Sequence, residues 1–327
     1  MVGRLFSRAV VAVCALGAVA GTARAKSDQP QSDRDLARQL VEANDLGRAL
    51  QTLSIFGGAP GISAATYYGD MDLNAYKVPV ARTLEPFTAS GAFAGVSPYV
   101  ELTAGYLGAS QHFGLPPSPG EPTGLKVDYD SWTGLAGAGL EIPLGESVKL
   151  RPVLLAGYSH ISGGIALQGP GQAEFRDITR GILADSSIDS VMLGGALEAV
   201  YETRMDGDVR FKAKLRYNEI QDIAVGASDR SLRSSGAFGA ATGGAEFNGP
   251  TDWQIAAYPL RWLAFANATW LDTPGDLFGF NSFAELGGGL QLLAPDVVNG
   301  VEGVTVRSSA ILGDGVTGWS LGVSLAF

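Results

Sequence analysis

The sequence has a single cysteine, Cys14, among its 327 residues. One thiol excludes a disulfide within the chain and any metal site built on several cysteines. The chain has only two histidines, and their surroundings show no spacing typical of metal ligands. We therefore predict neither a bound metal nor a cofactor.

Cations are also scarce, since 23 Lys and Arg face 33 Asp and Glu and the net charge is −10. A chain this acidic lacks the basic surface that binds phosphate backbones, which argues against a nucleic-acid partner. Beyond the N-terminal segment no apolar run reaches the length of about 18 residues that a transmembrane helix needs. The sequence therefore predicts no helical membrane span.

The N-terminal segment is typical of a secretory signal. Arg4 and Arg8 precede an apolar stretch over residues 9–20, and Thr22-Ala-Arg-Ala25 supplies an A-x-A cleavage site. We predict a signal peptide over residues 1–25. Cys14 would leave with it, so the exported chain would contain no thiol.

Glycine, by contrast, is abundant at 45 residues, and apolar side chains alternate with small ones. At the C-terminus Trp319, Leu321, Val323, Leu325 and Phe327 alternate with Gly, Ser or Ala. A period of two places one face of a strand in an apolar medium and the other in a small or wet interior. The pattern is typical of a strand in an outer-membrane β-barrel, and we assign these five residues as its C-terminal assembly signal.

Similar segments recur along the chain between Gly, Pro, Asp and Ser clusters. We predict twelve strands, at residues 61–68, 74–84, 98–113, 132–144, 148–161, 190–202, 209–223, 236–247, 261–271, 282–293, 304–313 and 317–327. The predicted fold is an all-β transmembrane antiparallel barrel, with the barrel domain over residues 53–327. The two longest connections, 114–131 and 162–189, follow odd-numbered strands, which places them outside the cell.

Residues 26–52 form a predicted leader with an amphipathic helix. Ser32 could cap a helix over residues 33–47, with Leu36, Leu40, Ala43 and Leu50 on one stripe. Two interpretations stay open, a plug or pore-spanning helix on one side and a periplasmic helix or mobile leader on the other.

Charged side chains fall on one face of several strands. In the seventh, Arg210, Lys212, Lys214 and Arg216 alternate with apolar residues. A cation facing the middle of a bilayer costs about 2–4 kcal/mol, so these four must line the lumen. The full predicted lumen set is Glu101, Glu141, Lys149, Arg151, Glu198, Glu202, Arg210, Lys212, Lys214, Arg216, Glu285 and Arg307.

Folding adjacent strands about their turns predicts three ion pairs, Glu202 with Arg210, Glu198 with Lys214 and Glu141 with Arg151. The network either neutralises buried charge or sets the selectivity of a pore. Aromatic residues near strand ends, among them Trp132, Trp262 and Trp270, fit the girdles of a membrane barrel.

Twelve strands together with Gly-rich segments at residues 137–142 and 285–292 resemble the translocator barrel of autotransporters. More narrowly, a signal followed almost directly by a barrel resembles the solitary outer-membrane autotransporter-like barrels. The stretches at residues 74–82 and 98–106 fit this likeness, which covers about residues 50–327. It implies a twelve-stranded barrel with a helix in the pore and no established reaction.

One constellation supports an alternative function. His160 and Ser162 share a face of a strand, and Glu174 follows twelve residues after the serine. The spacing is similar to that of outer-membrane lipid A 3-O-deacylases, in which such residues act as an esterase triad. Those enzymes are eight-stranded and carry Asn where this chain has Gly163.

The leading hypothesis is an outer-membrane barrel of autotransporter-like type without a passenger, acting as a pore or a structural membrane protein. We expect a monomer in contact with outer-membrane lipid and lipopolysaccharide, assembled by the barrel-assembly machinery. The third alternative, a surface-loop binding or adhesion protein, rests on the two long loops.

Overall fold

The computed structural model describes residues 29–87, 95–115, 122–272, 278–294 and 303–326, with side chains described from residue 33 to 324 within these ranges. The predicted signal peptide and Phe327 lie outside them, as does the side chain of Leu325. The predicted cap at Ser32 is wrong, because the first helix is described from Gln29 and Ser32 lies within it.

Twelve antiparallel strands close into a barrel, each paired with its neighbours in sequence and β1 paired with β12. The strands are β1 Thr66–Tyr68, β2 Asp72–Thr83, β3 Ser97–Gly114, β4 Gly124–Pro143, β5 Val148–Gln168, β6 Ser186–Met205, β7 Val209–Ala227, β8 Ser235–Ile255, β9 Tyr258–Asp272, β10 Ser282–Leu293, β11 Gly303–Gly313 and β12 Val316–Ala326. The predicted fold class and strand number are confirmed.

Several strands are longer than predicted. β4 begins at Gly124 and β5 continues to Gln168, so the two connections predicted to be longest shrink to residues 115–123 and 169–185. The extensions keep the alternation of the strands, with Leu125, Val127 and Tyr129 of β4 and Ile165 and Leu167 of β5 buried. Backbone pairing continues through the polar and small residues between them because it depends on N–H and C=O groups and not on side-chain polarity.

In the part of the chain that the structure describes, three α-helices accompany the barrel: α1 Gln29–Ala43, α2 Leu46–Gly58 and α3 Gln172–Thr179, the last within the β5–β6 connection. A left-handed residue, Asp45 at φ 50°, separates α1 from α2. Sequence predicted only one helix ending near Gly47 and missed α2. Within the described part of the chain, no helix combines the length and apolarity required to cross a bilayer.

The two ends of the barrel differ. Odd-numbered strands end at what we call the loop end, which carries the 169–185 and 228–234 connections. Even-numbered strands end at the turn end, where β6 and β7 are joined by residues 206–208 and β8 and β9 by 256–257. α1 contacts the loop-end connections, because Arg34 donates to the carbonyls of Ile178 and Arg180.

Burial alternates along the strands as the pattern predicts. In β5, Val153 and Leu155 are buried inside, whereas Leu154 between them is 77% exposed on the outer surface. Leu321 and Val323 in β12 are exposed in the same way. The outside of the barrel is therefore an apolar surface, and the core of the molecule lies in the lumen.

The closing seam is shorter than predicted. The first strand was expected over residues 61–68, but β1 is Thr66–Tyr68 alone, paired with Trp319 to Thr317 of β12 and with Asn74 and Leu73 of β2. Residues 61–65 turn into the lumen instead.

Candidate functional site in the barrel lumen

α2 occupies the lumen. Its side chains Leu50, Leu53, Ile55 and Phe56 are each at most 2% exposed. A surface helix has one exposed polar stripe, but every residue from Leu50 to Gly58 is buried, including Gln51, Thr52 and Ser54. From Leu50 to Gly58 the helix is therefore enclosed on all sides by the barrel wall. The plug interpretation was made for the helix over residues 33–47, most of which is α1, and for that helix it stays a prediction.

An aromatic cluster packs against the end of α2. Phe56 lies 4.9 Å from Phe278 and 5.3 Å from Tyr67, measured between ring centroids, and Phe280 and Phe283 complete the group. Offset and edge-to-face pairs of this kind stabilise beyond their burial by roughly 0.5–1.5 kcal/mol each. They tie α2 to β1, β10 and the segment that precedes β10.

Polar residues of α2 are satisfied by the wall. Gln51 bonds the side chains of Ser190, Asp222 and Ser234, which belong to or border β6, β7 and β8. The hydroxyl of Ser54 lies 2.8 Å from that of Ser131. A buried amide without partners would be costly, so these bonds specify one seating of the helix.

The C-terminus of α2 contacts three wall residues that lie side by side on adjacent strands: Lys77 in β2, Gly105 in β3 and Thr133 in β4. The Lys77 ammonium donates to the Phe56 carbonyl at 2.8 Å and also to the carbonyls of Ala59 and Ile62. A helix ends with unsatisfied carbonyls and a partial negative charge, which a cation neutralises. Lys77 is thus a cap supplied by the barrel wall, and sequence analysis missed it.

Glycine brings the helix and the wall into contact at this seat. A Cβ on Gly105 would overlap the carbonyl oxygen of Gly57, and one on Gly58 would overlap the Thr133 side chain. The hydroxyl of Thr133 donates to the Ser54 carbonyl at 2.8 Å. Side chains larger than hydrogen at these glycines would push α2 off the wall.

On the turn-end side of α2, eight charged residues form one continuous chain of ion pairs, which we call the charge ladder. Its members alternate in sign: Glu101, Arg216, Glu198, Arg151, Glu141, Lys149, Glu202 and Lys212. Arg151 is central, with its guanidinium 2.6 Å from Glu198 and 2.8 Å from Glu141. Four acids balance four bases, so the ladder crosses β3 to β7 with no net charge.

The predicted Glu141–Arg151 pair is confirmed, but the two pairs across β6 and β7 are wrong by two residues. Glu202 lies opposite Lys212 rather than Arg210, and Glu198 lies opposite Arg216 rather than Lys214. Sequence analysis placed the turn over residues 203–208, whereas the strands continue to Met205 and only residues 206–208 turn. Each glutamate therefore lies opposite a β7 residue that is two positions closer to the loop end than predicted.

The remaining predicted lumen residues lie outside the ladder. Lys214 lies on the inward face without an ion pair to the described residues, and Arg210 is opposite Arg204. Glu285 accepts hydrogen bonds from the Ser63, Ser309 and Ser320 hydroxyls. The Arg307 guanidinium lies over the Phe265 ring at 5.7 Å.

α1 covers the loop end. Ala37 and Val41 are its buried residues, whereas the predicted stripe member Leu36 is 40% exposed. The Arg38 guanidinium binds both carboxylate oxygens of Asp229 at 3.0–3.2 Å. Burial raises the pKa of Asp229, but the hydrogen bonds from Arg38 and Ser231 outweigh it and hold that pKa below its usual range.

The constellation His160, Ser162 and Glu174 is not assembled. His160 Nδ1 lies 2.8 Å from Asp189 of β6, and Glu174 is exposed on α3, where no hydrogen bond to His160 is found among the described residues. Asp189 also accepts from the Tyr158 hydroxyl. The spacing prediction failed because Glu174 belongs to a loop helix, whereas the carboxylate directly across the sheet is 29 residues from the histidine.

Aromatic residues lie on the outer surface of the barrel. The Tyr106, Tyr158 and Tyr217 hydroxyls donate to Asp130, Asp189 and Glu219, respectively. Trp132, Trp270 and Trp319 are each at least 47% exposed on the outer surface, Tyr201 is exposed, and Trp262 is half-buried. Each of the three tyrosines thus has its ring on the outer surface and its hydroxyl on a carboxylate.

The lumen and wall together define a class, a closed twelve-stranded antiparallel barrel with a helix in its pore. Among solved structures the chain is similar to the β domain of the Bordetella autotransporter BrkA, with 14% identity, a TM-score of 0.46 and coverage of 79% of this chain and 93% of that one. It is also similar to the translocator domain of NalP from Neisseria meningitidis (14% identity, TM-score 0.42, covering 80% and 85%) and to the transport unit of AIDA-I from Escherichia coli (9%, 0.48, covering 80% and 88%).

No family model matches the sequence, and no curated protein matches it. The assignment of a twelve-stranded barrel stands on the strand pairing of this chain itself.

Proposed function

We propose that the chain is an outer-membrane barrel whose pore is closed by α2. The observation that carries this proposal is the seating of α2, which is buried on all sides and bonded to the wall through Gln51, Ser54 and Lys77. A twelve-stranded barrel is wide enough to conduct unless it is filled. α2 fills it on the loop-end side, and the charge ladder crosses it on the turn-end side.

The apolar outer surface supports the membrane location. Leu154, Leu215, Leu321 and Val323 are each more than 60% exposed, and water would make such a surface unfavourable. Outer-membrane lipid with lipopolysaccharide is the proposed surrounding, and the barrel functions as a monomer. We propose that the assembly machinery recognises the outward row of β12, to which Trp319, Leu321 and Val323 belong.

Planar-bilayer recording tests the closure. Three proteins are refolded without residues 1–25: the chain from Lys26, a deletion of residues 26–43 that removes α1, and a deletion of residues 26–58 that also removes α2. The first two should show few or small conductance steps, because α2 remains in the lumen. The third should show frequent, larger steps.

Heat-modifiable migration in gel electrophoresis confirms that each protein has folded as a barrel. Equal conductance in all three folded proteins would overturn the proposal. An increase on removing α1 alone would assign closure to α1 and contradict the role given to α2.

A further inference from the structure

The seam between β2 and β12 is closed only at the loop end. Toward the turn end, pairing between β1 and β12 stops at Thr66. The carbonyl of Ala65 accepts one further hydrogen bond, from the Ala75 N–H of β2 at 2.8 Å. Below this point, no strand of the described chain pairs with that edge of β2 or with the facing edge of β12. Lipid does not satisfy exposed backbone groups, so an open seam is unfavourable in a bilayer.

The segment that would fill the seam lies in the lumen. Gly61 adopts φ +86° and lies against Thr242 of β8, and the Ser63 hydroxyl bonds Glu285 of β10. The Pro60 carbonyl accepts from Asn218 of β7 at 3.0 Å. These contacts hold residues 60–63 well away from the seam.

We propose that residues 61–65 have a second binding position, as an extension of β1 that closes the seam between β2 and β12. Continuing the observed register places Ile62 between Val78 and Val323, and Ala64 between Tyr76 and Leu321. Val78 and Val323 are both more than 60% exposed on the outer surface. The outward face of the extension is thus apolar and matches its neighbours.

The inward face matches as well. Ser63 would lie between Lys77 and Gly322, and Ala65 between Ala75 and Ser320. Small side chains leave room for the charged residues that already line the lumen there. The alternation of Gly61, Ser63, Ala65 and Tyr67 with Ile62, Ala64 and Thr66 is the one from which the sequence predicted a strand.

Two prolines set the limit of the extension. Ala75 directs its N–H toward β1, so Lys77 and Pro79, two and four residues further, face the same edge. Pro79 has no N–H to donate, and neither has Pro60 at the other side of the seam. Pairing can therefore extend to Gly61 and no further, and glycine is the one residue that adopts both the left-handed conformation in the lumen and the extended one in a strand.

Disulfide trapping tests the proposal in the protein refolded from Lys26 onward, which lacks Cys14. Ser63→Cys with Gly322→Cys reports the seam position, and Ser63→Cys with Glu285→Cys reports the lumen position. Ser63→Cys with Ser324→Cys is the matched control, on the same strand and face but two residues out of register. In lipid vesicles the seam pair should oxidise at least tenfold faster than the control pair.

A second variant supports the assignment of the hinge. Gly61→Val opposes the left-handed conformation of the lumen position and not the strand, so it should raise the yield of the seam disulfide and lower that of the lumen disulfide. Heat-modifiable migration again confirms folding. Equal rates for the seam and control pairs in folded protein would overturn the proposal.

Hydrogen exchange provides a test without cysteine. The amides of Lys77, Leu321 and Val323 face the seam and should exchange more slowly in vesicles than open edges do, if the extension forms. Exchange of these amides as fast as in an unpaired strand would contradict it.

Discussion

The carbonyl oxygen of Gly57 in α2 lies directly against Gly105 of β3, with no room for a Cβ between them. Gly105→Leu should displace the end of α2 while leaving the strand pairing intact. Overpacking of this kind costs about 1–3 kcal/mol, which corresponds to a rise of about 5- to 150-fold in the undocked fraction. Trypsin cleavage after Arg48 in α2 measures that fraction, followed by mass spectrometry.

Gly134→Leu is the matched control, because Gly134 lies on the outer face of β4 with open space around it. This variant should leave cleavage at Arg48 unchanged. Equal cleavage in both variants would remove the claim that Gly105 seats the helix.

Lys77→Met should loosen the same helix by a different route. Three buried carbonyls lose their donor, and each unsatisfied buried group costs about 1–3 kcal/mol. Hydrogen exchange of the amides of residues 52–58 should accelerate, with Lys126→Met, whose ammonium pairs with Asp128 on the surface, as the control. Unchanged exchange in Lys77→Met would show that the cap contributes nothing to docking.

The charge ladder should respond unequally along its length. Glu101→Gln leaves the buried Arg216 charge with only Glu198 at 3.6 Å, so we expect a loss of about 3 kcal/mol, at the lower end for a broken buried pair. Lys212→Gln removes a pair more than one-third exposed and should cost about 0–1 kcal/mol. Urea unfolding in vesicles, followed by tryptophan fluorescence, compares the two. Similar losses would contradict the buried character of the Glu101 end.

The contact between α1 and the loop end should weaken in acid. Asp229 has a lowered pKa in the folded protein, so its stabilising effect is complete above the unfolded pKa of about 3.9 and is lost as pH falls through the lower folded value.

A spin label at Glu42→Cys, an exposed position on α1, should therefore gain mobility below about pH 4. The Asp229→Asn variant should show high mobility at neutral pH with little further change in acid. If the mobility of the label does not change with pH in the protein that keeps Asp229, the assigned role of Asp229 is contradicted.

Substitutions at Leu154 on the outer surface should show that this surface excludes charge but tolerates a change of size. Leu154→Arg places a cation on the face assigned to lipid and should lower folding stability by about 2–4 kcal/mol if the residue lies near the midplane. Leu154→Phe keeps the surface apolar and should fold as the parent does. Folding yield in vesicles, read from heat-modifiable migration, measures both, and equal yields would contradict a lipid-facing Leu154.

The strands were predictable because alternation reports directly which face of a strand is apolar. Their ends were not: the stretch from Gly124 to Ser131 continues the alternation through the buried Leu125, Val127 and Tyr129, but the residues between them are charged and the prediction assigned the stretch to a loop. An error of this kind at Met205 was enough to misplace two of the three predicted ion pairs. Whether a side chain points inward depends only on whether its position in the strand is odd or even. Which residue lies opposite it on the next strand depends also on where the turn between the strands begins and ends.

The lumen contents were harder to predict. α2 contains Gly57, Gly58 and Ser54, which disfavour a helix by intrinsic propensity, and it forms because the barrel buries it. Lys77 is unremarkable in its own strand, and its role exists only when α2 ends beside it. The carboxylate on His160 was missed for a similar reason, since Asp189 is a neighbour across the sheet and distant in sequence.

The orientation of α2 gives the lumen an electrical direction. Its N-terminus lies toward the loop end, and its C-terminus meets Lys77 and then, through Pro60 and Asn218, the guanidinium of Arg216. The negative pole of the helix dipole thus points at fixed cations. A helix inserted from the opposite end would present its positive pole to the Lys77 ammonium, so the lumen favours one direction of the helix over the other.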